Sequence, residues 1–299
     1  MSDPTPQNTR SVESILENLV VLMSQSVQLQ NFSANWLTSL RELVFNFQAT
    51  QLQQQHPNPL NRFGMKCFSQ TDEDGITLEI IRRLGISKGI YAEFGVGNGL
   101  ENNTLILAAL GWRGFWVGGE DLAFNFKSSQ SFSYIKSWIT KENIVQSAKA
   151  GIAATQAHEI DIISIDLDGN DIYFVSELLE NKIRPKLFIV EYNAQFIPPS
   201  RFQISYDPDH RWEGDNYFGA ALSNFDSLFN QHGYRLICCN SHTGANAFFI
   251  DVAYSHLFSD VPTDIRDIYT PPRYQLHSNF GHRPSPKTVE RIFADLNNF

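Results

Sequence analysis

Cysteine is scarce in this chain, charge is sparse, and no hydrophobic run is long. Cys67, Cys238 and Cys239 are the three cysteines among 299 residues. Three cannot build a disulfide framework, and adjacent cysteines rarely bridge each other, so all three are expected as core residues in a reducing compartment. Charged residues make up only 18% against 42% hydrophobic, a balance that excludes wholesale disorder. There is no basic surplus: 23 Lys+Arg face 32 Asp+Glu, a formal net charge of −9. A general nucleic-acid binder needs cations to neutralise phosphates, so nucleic acid is not expected as a partner. The most apolar early run, Leu19 to Met23, is far too short to span a bilayer. The opening residues MSDPTPQNTR lack a basic stretch leading into an apolar one, as a secretory leader has. A soluble, cytoplasmic protein without a membrane span is the expectation. Nor does G-x-x-x-x-G-K-[ST] occur, which excludes the phosphate-cradling P-loop. No internal repeat is apparent.

What is present divides into parts. Ile15, Leu16, Leu19, Leu22, Met23 and Val27 recur at helical spacing, and so do Trp36, Leu37, Leu40, Leu43, Val44 and Phe47. The Gln-rich stretch that follows runs into His56-Pro57-Asn58-Pro59, which should end a helix. Residues 1–62 are therefore expected to form a two-helix extension. Its apolar stripe needs a partner surface, either the main domain or a second copy of the chain in a homodimer.

From Thr71 strands and helices alternate. Thr71 can cap a helix carrying Ile76, Ile80, Ile81 and Leu84, and Gly89–Phe94 reads as a buried strand. A glycine turn, the helix Asn102–Leu110 and the strand Gly114–Val117 follow. A helix is expected over Gln130–Lys141, and a weak strand over Asn143–Gln146. Next come the strand Ile160–Ile165, the helix Asp171–Leu179 and the strand Leu187–Val190. This alternation predicts an open α/β sheet of parallel βαβ units over residues 63–254. After the helix Ala220–Gln231, the strands Tyr234–Cys239 and Asn246–Ile250 lie too close together for a parallel crossover, so the sheet should close on an antiparallel pair. Residues 255–299 read as a loop and a final helix near Pro286–Leu296 packing on the domain.

The chemistry gathers at predicted strand ends. Glu93-Phe-Gly95-Val-Gly97-Asn-Gly99 stands where the first strand meets its helix, and glycine there permits a tight turn and a close ligand approach. The dinucleotide fingerprint would need glycine where Leu100 stands. Glu120, at the end of the second strand, follows Gly99 by 21 residues, about where an acid accepts hydrogen bonds from ribose hydroxyls. Asp166, Asp168, Asn170 and Glu177 match parts of a calcium loop, but Asp171 replaces its glycine and a strand precedes it, so an EF-hand is rejected. Asp166 and Asp168 stand instead at a central strand end, with Glu191 and Asn193 at its neighbour. Together they could ligate Mg²⁺ or a similar hard cation. The alternative is that Asp168 and Asp171 cap the following helix. His210, in Tyr206–Trp212, and His242, in the closing turn, are candidate general bases. Arg211 is suited to pair with an anionic group.

These motifs resemble those of class I S-adenosylmethionine-dependent methyltransferases, most closely the FkbM-type branch and its relatives. The likeness runs over roughly residues 68–251 and rests on four stretches. Ser69–Gly75 resembles the branch's opening motif and Glu93–Thr104 its cofactor loop, while Ser164–Asp171 and Val190–Asn193 resemble its fourth and fifth strand ends. The resemblance implies a Rossmann-like methyltransferase sheet, with S-adenosylmethionine as cofactor. Gln70, Glu93, Gly95, Gly97, Gly99, Asn102, Glu120, Asp121 and Asp166 would bind it. Glu93 would meet its ammonium directly or through water, and the third strand end, near Ser147 and Ala148, would edge its adenine with no acid there to assign the contact to. Asp166 and His210 would be catalytic, and Asp166, Asp168, Glu191 and Asn193 would hold a metal. The expected reaction is O-methylation of a small-molecule or saccharide acceptor. A non-catalytic binding or assembly module and a nicotinamide-dependent oxidoreductase are the rival readings.

Overall fold

The computed structural model describes residues 7–127, 129–273 and 285–295. The chain divides into two compact units, Met1–Gln48 and Ala49–Phe299.

The described residues of the first unit lie within one helix, α1 (Gln7–Gln55), of 49 residues. Two helices were expected here. The stretch Gln28–Asn35 between the two apolar stripes holds neither glycine nor proline, so nothing interrupts the backbone ladder. The helix ends where Pro57 disfavours helical geometry for the residue before it, with the His56 amide donating to Leu52 O at 3.0 Å. Residues 49–62 belong with the second unit, not with the extension. Asn58 donates to Ile237 O at 2.7 Å, and Asn61 donates to Cys239 O and Ser241 Oγ, each at 2.8 Å.

The second unit is built on a seven-stranded sheet of order β3-β2-β1-β4-β5-β7-β6. Its strands are β1 (Ile90–Phe94), β2 (Arg113–Gly118), β3 (Phe132–Lys136), β4 (Ile162–Ile165), β5 (Leu187–Glu191), β6 (Tyr234–Cys239) and β7 (Asn246–Asp251). The first five are parallel, and β7 runs antiparallel to both β5 and β6. This is the expected mixed α/β, Rossmann-like architecture. The helices are α2 (Glu73–Leu84), α3 (Leu105–Ala109), α4 (Ile144–Ala154), α5 (Asp171–Glu180), α6 (Leu222–Gln231), α7 (Ile265–Ile268) and α8 (Pro286–Asp295). Strands β1, β4 and β5 are almost wholly buried, which accounts for their unbroken apolar runs.

Two expected elements are replaced. The segment read as the helix Gln130–Lys141 holds β3, where Phe132 is buried, Ser133, Tyr134 and Ile135 are half-buried and Lys136 is exposed. The segment read as a third strand opens α4, which carries Ile144, Ala148 and Gly151 on its buried face. Asn143 Oδ1 accepts the Thr140 amide at 2.9 Å just before that helix. Ser147 and Ala148 therefore lie inside a helix, not at the strand end expected to edge an adenine.

Aromatic side chains fill both ends of the core. Phe229 stacks on Phe249 at 4.0 Å beside Phe188 and Tyr234. At the other end Phe293 of α8 lies 5.5 Å from Trp116, 5.3 Å from Phe124 and 4.1 Å from Phe132. Burial of each such ring contributes about 1.5–3 kcal/mol. Cys238 and Cys239 are buried as expected, whereas Cys67 is exposed. Burial pushes the Cys239 thiol up to about 12.

Candidate functional site at the carboxyl ends of the strands

Strand order reverses direction between β1 and β4, and open α/β sheets bind ligands outside the carboxyl ends at such a point. Gly95 leaves β1 there with φ +88°, and a Cβ on it would lie 1.7 Å from the Asp166 carbonyl oxygen. Only glycine lets the two strand ends approach so closely. Gly97 is exposed, with open space where its Cβ would stand.

Glu93 shapes this turn from below. Its carboxylate accepts the amides of Asn103 and Thr104, both at 2.9 Å, and the Thr104 hydroxyl at 2.6 Å. These bonds hold residues 103–104 outside a regular helix, which is why α3 starts at Leu105 and not at Asn102. Burial raises the Glu93 pKa to about 6, while the same hydrogen bonds oppose the rise. Asn102 is buried beside it, with Oδ1 lacking a partner. Gln70 is exposed and its carbonyl accepts the Lys66 ammonium at 2.7 Å.

At the end of β2, Glu120 and Asp121 are exposed. Asp121 pairs with Lys136 at 2.6 Å. The Glu120 carboxylate has no partner among the described residues, although its carbonyl accepts the Tyr134 hydroxyl.

The acidic centre comes from the turn after β4 and the end of β5. One carboxylate oxygen from each of Asp166, Asp168 and Glu191 lies within 4.8 Å of the others. Asp171 folds this turn, accepting the Leu167 amide at 2.8 Å and the Gly169 amide at 3.0 Å. Asp168 adopts φ +54°, a left-handed conformation that aspartate tolerates better than most residues. Burial, then the charges of Asp168 and Asp171, push Asp166 well above the usual carboxylate range. Glu191 is raised likewise by burial and by Asp166, Asp171 and Asp168, and its Oε2 has no partner. Burial raises Asp171 to about 6.

Asn193 takes a different place from the metal ligand that was expected. Its Nδ2 donates to Asn216 O and Phe218 O, both at 3.0 Å, and its Oδ1 accepts the Gln195 amide at 3.2 Å. It pins one end of the loop Tyr206–Phe218. The other end is held by Asn170, which donates to Asp207 O at 2.7 Å, and by Trp138, which donates to Pro208 O at 2.8 Å. The loop lays the His210 ring over Gly169, where an added Cβ would meet Cδ2 at 2.2 Å. His210 faces the charge of Asp168, and its Nε2 is buried without a partner.

Trp138 escaped the sequence reading. It lies beside Gly119 at the end of β2, with the Arg211 guanidinium 4.7 Å from its ring. A lone tryptophan just past a strand end was its only signal. His242 is held apart from the trio, its amide donating to Asp72 Oδ1 at 3.1 Å, and burial lowers its pKa. Asn240 and Asn246 both donate to Glu73 Oε1, at 3.1 and 3.2 Å. They clamp the β6–β7 turn onto the start of α2.

A cleft of about 620 Å³ opens elsewhere, at the amino-terminal edge of the sheet, among Lys149, Lys182, Arg184 and Lys186. Lys186 pairs there with Asp161, and Arg184 with Asp251. The opposite edge brings together the three converging carboxylates and the partnerless Glu191 Oε2 and His210 Nε2, and we take that edge as the candidate site.

No known family profile matches the chain, and no curated protein matches it. Among solved structures, a "putative hemolysin" from Lactococcus lactis is similar at a TM-score of 0.36 and 10% identity, over 58% of this chain and 85% of that one. A likeness at that level carries no argument about activity.

Proposed function

We propose that the α/β unit binds S-adenosylmethionine and methylates a hydroxyl of a small molecule or saccharide. The observation that carries this reading is the grouping around the β1/β4 switch point. An open glycine turn, a partnerless acid at the end of β2 and three converging carboxylates meet there. The motif resemblance to the FkbM-type branch supports the choice of cofactor.

In this reading the methionine end of the cofactor lies along Gly95, Gly97 and Gly99, and Glu120 takes the ribose hydroxyls. Glu93 reaches the ammonium only through water, since the turn occupies both its oxygens. Trp138 offers a flat face beside the ribose acid. When bound, the cofactor would supply an electrophilic methyl: the acceptor oxygen would take it as the C–S bond breaks with its electron pair left on sulfur, and the hydroxyl proton would have to be removed. His210 Nε2, buried and without a partner, is the group suited to take that proton. The all-oxygen donor set of Asp166, Asp168 and Glu191, with Glu191 Oε2 unsatisfied, fits a hard divalent cation such as Mg²⁺. Such an ion, when bound, lowers the pKa of an acceptor hydroxyl. The chain's own work is positioning, water exclusion and proton removal.

Calorimetric titration of the full chain with S-adenosylmethionine and separately with NADH, each with and without Mg²⁺, tests this. Saturable S-adenosylmethionine binding that weakens at least about tenfold (~1.4 kcal/mol) in Glu120→Ala is the expected result. Absence of S-adenosylmethionine binding sinks the methyltransferase reading. NADH binding in its place points to an oxidoreductase.

A further inference from the structure

The long helix α1 exposes an apolar face among the described residues. Sixteen large apolar side chains between Ile15 and Phe47 are more than two-fifths exposed. Many of them follow one phase. Ile15, Leu19, Leu22, Leu29, Trp36, Leu40, Leu43 and Phe47 fall on an unbroken alternation of four- and three-residue steps, which Ser26 and Ser33 complete. That is a heptad seam with Leu19, Ser26, Ser33, Leu40 and Phe47 at a, and Ile15, Leu22, Leu29, Trp36 and Leu43 at d. Leu16, Met23, Leu37 and Val44 add a second row at e.

A separate observation agrees with the seam. A shallow groove of about 290 Å³ on this helix is bounded by Phe32, Asn35, Trp36, Ser39, Leu40 and Leu43. Trp36, Ser39, Leu40 and Leu43 are the four corners of a coiled-coil hole, shaped to receive one apolar knob from a facing helix.

We propose that α1 is a self-association helix, whose seam is covered by the α1 helices of other copies of this chain. Charge argues for a copy over other occupants. Between Ser14 and Gln48 the only charged residues are Glu17, Arg41 and Glu42, too few to encode a charge-matched foreign helix. A membrane surface is disfavoured too, because interfacial helices carry Lys and Arg on their polar face. This helix offers Ser, Asn, Gln and Thr there, in a chain of net charge −9. The area suffices. The apolar side chains at a, d and e, at roughly 60–120 Å² of removable surface each, amount to on the order of 1,000 Å² per chain. A standard stable interface needs about 800 Å² per partner.

Light scattering on the full chain at micromolar concentration tests the proposal. A mass at least twice the 34.0 kDa of one chain is expected. The double variant Leu22→Glu/Leu29→Glu, altered at d, should fall to the single-chain mass with the thermal transition of the α/β unit retained. Ser24→Glu/Asn31→Glu, on the opposite side at f, should keep the wild-type mass, which separates loss of the seam from a general effect of added charge. A wild-type monomer overturns the proposal. So does a d-position variant that still assembles, or an f-position variant that dissociates as readily as the d-position one.

Discussion

Exchange of glycine for alanine at two positions in one turn separates what the fold needs from what a ligand needs. A methyl group at Gly95 meets a backbone oxygen at 1.7 Å, and that oxygen belongs to Asp166, just past the end of the strand next door. Backbone cannot swing away as a side-chain tip can. The left-handed φ of +88° adds about 1–2 kcal/mol for a residue with a Cβ, and the steric clash about 1–3 kcal/mol. Gly95→Ala should therefore destabilise the unit by about 2–5 kcal/mol. At about 2–4 °C per kcal/mol for a body of this size, its melting temperature drops by roughly 5–20 °C. Gly97 differs in one respect. Its φ is also left-handed at +48°, but nothing lies within 4 Å of its absent Cβ. Gly97→Ala should cost about 1–2 kcal/mol of stability and lower the melting temperature by no more than about 8 °C. Its methyl projects into the opening proposed for the cofactor, so affinity for S-adenosylmethionine should fall about tenfold or more (~1.4 kcal/mol). Thermal denaturation by circular dichroism and calorimetric titration read the two effects. Equal melting shifts for the two variants would refute the argument from the Asp166 contact. Unchanged affinity in Gly97→Ala would refute the claim that this turn faces the ligand.

Two further outcomes depend on buried carboxylates. Burial raises Asp166 and Glu191, and repulsion between neighbouring charges adds to it. Unit charges within 4.8 Å of one another repel by at least about 3 kcal/mol at an effective dielectric constant near 20, so a divalent cation bound there would compete with protons. Mn²⁺ or Mg²⁺ binding should tighten as pH rises and release protons, measured by calorimetry in buffers of different ionisation enthalpy. A pH-independent affinity would rule out this trio as the ligand set. Glu93 titrates at about 6 in the fold against 4.5 when unfolded. The folded state thus binds the extra proton, and stability declines as pH rises through that window by about 2 kcal/mol. Glu93→Gln lacks this penalty, so relative to wild type it should gain about 2 kcal/mol between pH 4 and pH 7.5 in urea unfolding. A difference that stays constant with pH, or runs the other way, refutes the assignment.

The arrangement around the site also explains why an acidic chain can concentrate acid further at one edge of its sheet. Asp171 and Glu93 are tied to backbone amides, and their work is to shape the two turns. Asp166, Asp168 and Glu191 converge on one another. Both kinds of side chain are the same functional group, and the hydrogen-bond partners distinguish the carboxylates that form turns from those that face one another.

By itself the sequence determined the alternation of strands and helices, the glycine turn after β1 and the antiparallel close of the sheet. Each is written in local terms: an apolar run between turn residues, glycines at a strand end, a connection too short for a crossover. Asp166, Asp168 and Glu191 were legible as acids for the same reason, since each stands at the end of an apolar run. Tertiary structure decided the rest. β3 and α4 exchange places with their expected types because Phe132 finds a slot among Trp116, Phe126 and Phe293, the last of them remote in sequence. Asn193 proved to be a loop anchor because its amide meets Asn216 and Phe218, more than twenty residues away. The N-terminal stripes read as two helices when taken window by window, yet they share one heptad phase along a single α1. A local window detects what neighbours along the chain impose. It does not contain the distant backbone that gives a buried polar side chain its partner.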